Sequence, residues 1–362
     1  MKKSLKTKDN YLEDLTFFSR ISLSTFGAWP SQSEKISRTF FTISLFFLLF
    51  GVTIPQFFRL FQVWRDLDRL SNVLCTAELP FIVGIIKMIV LYLNKQKILT
   101  LYAYMMHDWK RKESNEELEI MIKNGRQGRK YSLICIITGH MTVIVHGIQC
   151  ILANISMWNS PEYYKNYTLY VDAYFPFTWN YSPTFEFLCC FEYIGATCAT
   201  FAISGTDSIY CQISFHYAAR YQILRLRLKR LIENFNTFKC DSEFNAEFGK
   251  IITIHYDINS CIEIIESNFY LMFLAQLVIS ALQFCLLGYF LVLSFEFANT
   301  AYGSEWYNLP IRKAKCIILL IQGGNKPVEI TAGKFFVYNF KLFGSVRCNH
   351  IIVQVIHHLK QK

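Results

Sequence analysis

Residues 268–293 read NFYLMFLAQLVISALQFCLLGYFLVL, a run of 26 residues without a charged side chain. At 1.5 Å per residue, a helix of this length extends about 39 Å, which exceeds the ~30 Å hydrocarbon core of a bilayer. Because unpaired backbone amides are not tolerated in hydrocarbon, such a run predicts a membrane-spanning helix. This stretch sets the fold class of the whole chain.

The rest of the sequence has the same character. Of its 362 residues, 52% are hydrophobic and 17% aromatic, whereas only 18% are charged. This composition is too apolar for a soluble protein of this size. Four further stretches are long enough to span a bilayer, at residues 39–61, 73–93, 132–153 and 185–205. The sequence therefore predicts an all-α, polytopic transmembrane helical bundle of six to seven helices, and it shows no strand periodicity.

The chain divides into four regions. Residues 1–38 are polar and basic, and we expect a cytoplasmic N-terminal segment that leads into an uncleaved first span. Residues 39–293 contain the transmembrane bundle with its five clear spans. Residues 294–329 and 330–362 contain only short or moderately apolar stretches, so their number of spans is ambiguous.

The lysines and arginines indicate which way the spans run. Seven precede the first span, nine lie between spans two and three, and seven follow span four. The connection between spans three and four carries only Lys165. Since cytoplasmic loops keep an excess of positive charge, we predict a cytoplasmic N-terminus. The formal charge of +10 is therefore interpreted as a topology signal and not as a sign of a nucleic-acid partner.

Three N-x-S/T sequons give an independent indication of orientation, because they are acceptor signals for N-glycosylation. They lie at Asn154, Asn166 and Asn180, in or beside the same poorly charged connection. We predict that this connection is first lumenal and then extracellular, with these three residues as glycosylation sites. The predicted orientation is opposite to that of G-protein-coupled receptors.

Ionisable residues inside the spans are candidates for function, because they are costly in hydrocarbon unless paired or hydrated. Lys87 lies in span two, and Glu186 and Glu192 lie in span four. For Lys87 we favour a side chain that reaches the cytoplasmic end of its span, and for Glu186 a position at the outer interface. For Glu192, functional and structural roles are equally supported.

The sequence does not arrange its histidines or other reactive side chains at the spacings that catalysis or metal binding requires. His140 and His146 in span three are six residues apart, a spacing that does not direct two imidazoles at one ion. No phosphate-binding glycine loop, zinc pattern or nucleophile motif is present. We therefore expect no enzymatic activity, no catalytic residues, no metal and no cofactor.

Two other features have structural and functional interpretations. The run 216–235 alternates leucines with basic residues and predicts a helix that continues span four into the cytoplasm, where it contacts either anionic lipid headgroups or, as we favour, a neighbouring helix. The twelve cysteines have no CxxC spacing, and we expect them to be free structural thiols.

Two motifs near the C-terminus carry a family resemblance. Residues 298–310 read ANTAYGSEWYNLP, and residues 325–327 and 330–336 read NKP and ITAGKFF. In this order and spacing they closely resemble the signature of insect odorant receptors. Weaker resemblance extends over about residues 10–346, including RYQILRLRL at residues 220–228.

The resemblance implies a seven-helix subunit that assembles with an Orco-type co-receptor into a tetrameric, non-selective cation channel of the plasma membrane, opened by small volatile odorants. It implies that residues 294–329 form an anchor between subunits, with Trp306, Tyr307 and Pro310 as assembly residues. It also implies a pore helix early in residues 330–362. The implied pore-helix residues are Thr331, Gly333, Phe336 and Val346.

The odorant pocket of the family lies in the outer half of the bundle, chiefly between spans two, three, four and six. A mostly apolar cavity with few polar groups is sufficient for a small volatile ligand. Chosen by depth alone, the candidate ligand contacts here are Phe81, His146, Gln149, Cys150, Phe187 and Phe191. Each of them also fits ordinary packing between helices.

The sequence departs from the family pattern in two places that bear on conduction. Only Ser294 separates Leu293 from Phe295, so the sixth span is missing; either span five ends early and re-enters, or the chain cannot adopt the receptor topology. The tail from Arg347 onward is atypical, and a charge in a lipid-embedded helix costs roughly 3 kcal/mol. The alternatives are a truncated, non-conducting isoform or gene model of the family, and then a gustatory-type or G-protein-coupled receptor.

Overall fold

The computed structural model describes residues 8–66, 69–70, 73–74, 78–111, 114–157, 167–235, 240–324, 330–332 and 336–338. Helices dominate these residues. We number the helices α1 (Lys8–Thr25), α2 (Glu34–Leu48), α3 (Ile54–Val63), α4 (Leu79–Leu93), α5 (Lys95–Lys110), α6 (Asn115–Met157), α7 (Thr184–Glu233), α8 (Asp241–Gly303) and α9 (Ile311–Gly324). A π-helical turn, Leu49–Thr53, joins α2 to α3, and a 3-10 turn, Trp306–Asn308, precedes α9.

Four of the helical stretches are long and apolar enough to cross a membrane, namely Glu34–Val63, Asn115–Ile155, Thr184–Glu233 and Asp241–Leu286. A fifth candidate is α4 together with α5, which are bent by 70° at the break between them. The five apolar runs singled out in the sequence all fall in or overlap these helices. The all-α transmembrane bundle predicted from the sequence is thus confirmed.

The helix α7 lies at the centre of the first of two compact units, residues 1–283, and packs against α1, α2, α4 and α6. Its buried face is rich in small residues, which let helix backbones approach closely in a membrane. A Cβ added at Gly195 would lie 2.6 Å from the carbonyl oxygen of Phe47, and one added at Gly205 would lie 2.8 Å from Ser22. Glycine is therefore required at both contacts.

The amphipathic α1 runs antiparallel to the middle of α7. The hydroxyls of Ser19 and Ser208 are 2.6 Å apart, and Gln212 Nε2 donates to the Leu15 carbonyl at 2.9 Å. Leu12, Leu15 and Leu23 are buried beneath them. The N-terminal segment predicted from the sequence as polar and basic is thus partly a helix packed on the bundle.

The helices α6 and α7 also pair antiparallel, and over a longer distance. Ser132 Oγ donates to the Ser208 carbonyl at 2.8 Å, and a Cβ added at Gly139 would meet Thr200 at 3.2 Å. The same pairing continues to the opposite end, where a Cβ at Gly147 would lie 3.2 Å from the Tyr193 ring. At 1.5 Å per residue, the 43-residue α6 and the 50-residue α7 extend about 65 Å and 75 Å, so both continue well beyond a bilayer core.

The helix α8 continues without a break from Asp241 to Gly303, which excludes the alternative in which span five ends early and re-enters. In the second unit, residues 284–362, a short antiparallel ladder pairs β1 (Ile330–Ala332) with β2 (Phe336–Tyr338).

The family resemblance implied a pore helix at Thr331 and Phe336. The structure corrects this expectation, because both residues lie in strands of the ladder. Its sequence gives a physical reason, since β-branched and aromatic side chains such as these favour extended backbone. Gly333 and Val346 lie outside the described residues.

The requirement for glycine at the α2–α7 contact predicts the effect of one added methyl group. We expect Gly195→Ala to lower the free energy of unfolding by roughly 1–3 kcal/mol, because the Cβ would overlap a backbone oxygen that cannot rotate away. The measurement is the apparent melting temperature of the detergent-purified full chain.

Gly249→Ala in α8 is the matched control, because among the described residues no atom beyond its own chain neighbours and local helix backbone lies within 4 Å of its added Cβ. Alanine should raise stability there by up to ~1 kcal/mol through its higher helix propensity. Equal melting of Gly195→Ala and the wild type would contradict the close contact.

Candidate functional site

Residues 167–172 cross the ends of α6 and α7, and we call this stretch the capping segment. At its start, Asn154 of α6 pairs with both backbone groups of Thr168: its Nδ2 donates to the carbonyl at 2.9 Å, and its Oδ1 accepts from the amide at 3.0 Å. At its end, Asp172 forms a 2.8 Å ion pair with Arg59 of α3. The segment is therefore fixed to two different helices.

Glu192 holds the middle of the capping segment from α7. Its Oε2 accepts from the Tyr170 amide at 3.0 Å and from the Val171 amide at 3.4 Å. The residue is fully buried, and its Oε1 has no hydrogen-bond partner among the described residues. Because buried backbone donors need acceptors, the structure assigns Glu192 a structural role and leaves one carboxyl oxygen available.

His146 of α6 completes this clamp on the capping segment. Its Nε2 lies 2.7 Å from the Tyr170 carbonyl, and since a carbonyl only accepts, that nitrogen carries the proton. The His146 and Tyr170 rings meet edge to face at 4.8 Å, and Tyr170 meets Tyr193 of α7 in the same way at 5.7 Å. The imidazole is thus engaged by the protein itself.

The six residues predicted to contact an odorant have different surroundings. His146 and Cys150 both bond to the capping segment, the latter through its thiol to the Thr168 carbonyl at 3.5 Å. Phe191 packs its ring against Phe46 and Phe47 of α2. The remaining three are Phe81, buried in the core, and Gln149 and Phe187, both exposed.

A cleft of about 230 Å³ lies elsewhere, between the end of α1, the middle of α2 and one face of α7. Its walls are mostly apolar, with hydroxyls from Thr25, Ser44, Tyr193 and Thr197. The other lining residues are Phe26, Ile194, Cys198 and Phe201. A cleft of this size, below the usual range for drug-sized ligands, suits a smaller apolar molecule.

The two sequons that the structure describes differ in their surroundings. Asn154 donates both amide hydrogens, to the carbonyls of Cys150 and Thr168. Asn180 is exposed in the loop before α7, and Asn166 lies outside the described residues. Since a glycan is attached through the side-chain nitrogen, Asn180 offers the more accessible acceptor.

The structure corrects the expectation that Lys87 reaches to the end of its span. Its side chain is 1% exposed, and its Nζ donates to Asp207 Oδ1 of α7 at 2.6 Å. A nearby carboxylate compensates the ammonium within the bundle, so the side chain has no need to reach water. Glu186 is exposed in the first turn of α7, where a negative charge is favoured by the helix dipole.

Acidic residues line up opposite the basic run at the far end of α7. Arg227 binds Glu117 of α6 through two hydrogen bonds of 2.7 and 3.1 Å, and Arg230 pairs with Glu116. The extended helix expected over residues 216–235 is confirmed as far as Glu233. These pairs favour the packed-helix interpretation of the run over binding to lipid headgroups.

Asp108 belongs to the same end and lies outside the five predicted spans. Burial acts to raise the pKa of its carboxyl, but a hydrogen bond from His216 and the charge of Arg220 outweigh burial and hold the pKa below its ordinary value. The carboxylate is therefore ionised and holds α5 against α7. Among the described residues, no group of three or more His, Cys, Asp or Glu is placed to hold a metal ion.

Comparison with known proteins decides what kind of bundle this is. The family model described as 7tm Odorant receptor matches residues 71–295, more than half of the chain. The chain belongs to the odorant receptor family. It is thus an olfactory receptor by ancestry and a membrane protein, and its family is not one of enzymes. The match ends before the SEWYNLP and ITAGKFF motifs, so it supports the resemblance independently of them.

Individual relatives agree with this assignment. Odorant receptor 94a of Drosophila melanogaster is 24% identical over 222 residues, which are 49% of this chain and 55% of that protein. The chain thus matches about half the length of this curated relative. The insect olfactory receptor OR5 of Machilis hrabei in complex with eugenol has a similar fold, with a TM-score of 0.55 and 15% identity over 97% of this chain and 98% of that one. A second structure of OR5 from Machilis hrabei gives a TM-score of 0.54 and 15% identity over 98% of both chains.

Several of the residues described above were not evident from the sequence. Tyr170, Asp172 and Asp207 sit in the sequence without a motif, and their importance arises from partners 22 to 120 positions away. The one available signal was charge: Arg59, Lys87 and Glu192 are ionisable residues within apolar runs, and each has a polar partner across the bundle.

The clamp on the capping segment predicts how Glu192 variants behave. We expect Glu192→Ala to destabilise the chain by roughly 1–3 kcal/mol for each of the two buried amides left without an acceptor, and to expose residues 167–172 to protease. Glu192→Gln retains an acceptor oxygen and should keep most of the stability. Thermal melting and limited proteolysis of the purified chain measure both effects.

Glu186→Ala, on the exposed first turn of the same helix, is the control and should stay within about 0.5 kcal/mol of the wild type. Identical melting curves for Glu192→Ala and Glu186→Ala would refute the clamp.

Proposed function

We propose that this chain is the odorant-binding subunit of a ligand-gated, non-selective cation channel, which assembles in the plasma membrane with an Orco-type co-receptor as a tetramer. The observation that carries the proposal is the 230 Å³ apolar cleft inside a member of the odorant receptor family. Small volatile molecules need little more than such a cleft with a few polar groups. The N-terminus is cytoplasmic in this proposal, and the capping segment is extracellular.

The position of the cleft suggests how ligand binding is communicated. Tyr193 lines the cleft and also touches Tyr170 of the capping segment, whose backbone is held by His146 and Glu192. A ligand that moves the Tyr193 ring therefore acts on the pairing between α6 and α7. Of the outer-half residues predicted from the sequence, His146 and Cys150 contribute to this proposal as positioning residues for the capping segment, and not as walls of the cleft.

Filling the cleft tests its role directly. Thr197 lines it and donates its hydroxyl to the Tyr193 carbonyl one helical turn earlier, at 2.7 Å. We expect Thr197→Phe to shift the odorant concentration for half-maximal current about tenfold or more, equal to a loss of about 1.4 kcal/mol of binding. The measurement is the current in cells that express the chain with an Orco-type co-receptor, across a panel of volatile esters, alcohols, aldehydes and phenols that includes eugenol.

Thr142→Phe is the matched control, because Thr142 makes the equivalent bond to Thr138 at 3.0 Å but lies on the exposed face of α6. It should leave the dose–response curve within about twofold of the wild type, since an exposed site has no cleft to fill. If Thr197→Phe also has no effect while Phe191→Ala changes the response, the odorant binds among the outer-half residues and the cleft proposal is wrong.

The assembly part of the proposal rests on exposed aromatic residues in the anchor-like segment. Tyr307 is 67% exposed, and its ring lies beside that of the half-buried Trp306 at 6.0 Å. Aromatic residues that are exposed in one chain are typical of subunit interfaces. Pro310 is exposed at the start of α9 in the same segment.

Tyr307→Ala is expected to reduce co-purification with the co-receptor about fivefold or more, as for an interface aromatic that contributes more than 1 kcal/mol. Tyr256→Ala is the control, because Tyr256 is similarly exposed, at 73%, but lies in α8 well before the anchor-like segment 294–329. Undiminished co-purification of Tyr307→Ala would exclude this turn from the interface.

Two observations favour a second candidate function. The helix α8 is unbroken where a sixth span was expected, and the ladder of β1 and β2 lies where a pore helix was expected. In this alternative, the chain reaches the membrane as a non-conducting isoform of the family. Surface labelling of the tagged chain without any odorant-evoked current, in cells where the co-receptor alone responds to a direct agonist, would favour it.

A further inference from the structure

Two pairs of cysteines connect α6 to α7, and both pairs are free thiols in the structure. The thiols of Cys150 and Cys189 are neighbours, and so are those of Cys135 and Cys211. Each pair thus places one thiol from each helix beside the other. The two pairs differ in where they lie along the helices.

The Cys150–Cys189 pair lies under the capping segment. Cys150 donates to the Thr168 carbonyl at 3.5 Å, and Cys189 packs against the buried cluster of Tyr167, Leu169 and Phe185. Asn154, one turn beyond Cys150, is bonded to the same Thr168. Independent contacts to one short segment therefore place both thiols at the end of the bundle where α6 ends and α7 begins.

The Cys135–Cys211 pair lies further along both helices. Cys135 precedes Cys150 by 15 residues, or about 22 Å of helix, and Cys211 follows Cys189 by 22 residues, or about 33 Å. Its surroundings include the Lys87–Asp207 ion pair. In the orientation proposed above, this second pair is on the cytoplasmic side of the bundle, and the first is on the side of the exposed sequon Asn180.

We propose that Cys150 and Cys189 form a disulfide that joins α6 to α7 beneath the capping segment, while Cys135 and Cys211 remain thiols. Disulfides form in the lumen of the secretory pathway and are rare on the cytosolic side. The oxidant is a disulfide-carrying oxidoreductase of that compartment: the two thiols lose two protons and two electrons to form one S–S bond, and the oxidant's disulfide is reduced to a dithiol. The bond closes a chain loop that contains residues 151–188 and fixes the spacing of the two helices next to Tyr193.

The test uses the full-length chain with an N-terminal epitope tag, expressed in insect cells and lysed in N-ethylmaleimide to block free thiols. Peptide mapping by mass spectrometry without reductant should find Cys150 linked to Cys189, and Cys135 and Cys211 each alkylated. Labelling with a polyethylene-glycol maleimide after reduction should then add two groups to the wild-type chain and none to the Cys150→Ser/Cys189→Ser variant. The Cys135→Ser/Cys211→Ser variant should still gain two.

Several results would overturn the proposal. Alkylation of both Cys150 and Cys189 in a chain whose Asn180 carries a glycan would show that the thiols meet an oxidising compartment and stay reduced. A Cys135–Cys211 linkage together with tag staining on intact cells would show that the orientation is reversed, which also contradicts the proposed topology. If the double variant is retained inside the cell, the single Cys189→Ser variant keeps the test decisive, since only it should release Cys150 as a free, alkylatable thiol.

Discussion

Where α7 passes α2, the space between the backbones is too small for even one methyl group, since a Cβ at Gly195 would lie 2.6 Å from the Phe47 carbonyl oxygen. Apolar side chains gain little by leaving lipid for protein, so helices in a membrane associate through close packing and polar contacts instead. The same helix meets α4 at Gly84, where a Cβ would lie 3.1 Å from Ala199, and meets α1 at Gly205. All three contacts depend on small residues of one face of α7.

The type of contact changes along α7, and the change follows the increase in polarity expected between a membrane interior and water. Small residues make the contacts near Gly195, and hydroxyl and amide pairs such as Ser19–Ser208 and Leu15–Gln212 follow beside the buried Lys87–Asp207 pair. The remaining ion pairs of α7, such as Glu117–Arg227, come last. Ion pairs are weak where water screens them and costly where burial strips their hydration. Their concentration beyond the predicted spans is consistent with helices that leave the hydrocarbon at that end.

Length and hydropathy alone were enough to predict the helical bundle, because a membrane permits few alternatives to the helix. The extension of α7 through residues 216–235 was also predictable, since its leucines and arginines suit a helix. The pairing of charges was not predictable. Lys87 and Asp207 are 120 residues apart, and no local pattern indicates that a parallel packing of α4 on α7 brings them to 2.6 Å.

The contacts of the candidate site were likewise not predictable from the sequence. His146 and Cys150 were chosen because polar groups at their depth could face a ligand, and they are polar for a different reason: the capping segment needs partners for its backbone carbonyls. The clamp and the 230 Å³ cleft both arise from contacts between distant segments.

Tyr193 is the residue that connects these parts. Its ring contacts Tyr170 beside the clamp, its side chain forms one wall of the cleft, and a Cβ at Gly147 would touch its ring. A molecule in the cleft and a change at the capping segment therefore act on the same ring, although neither contacts the other. Coupling of this kind needs an element that both sites bias. The α6–α7 pair meets that requirement, because one helix supplies His146, the other supplies Glu192 and Tyr193, and the capping segment is bonded to both.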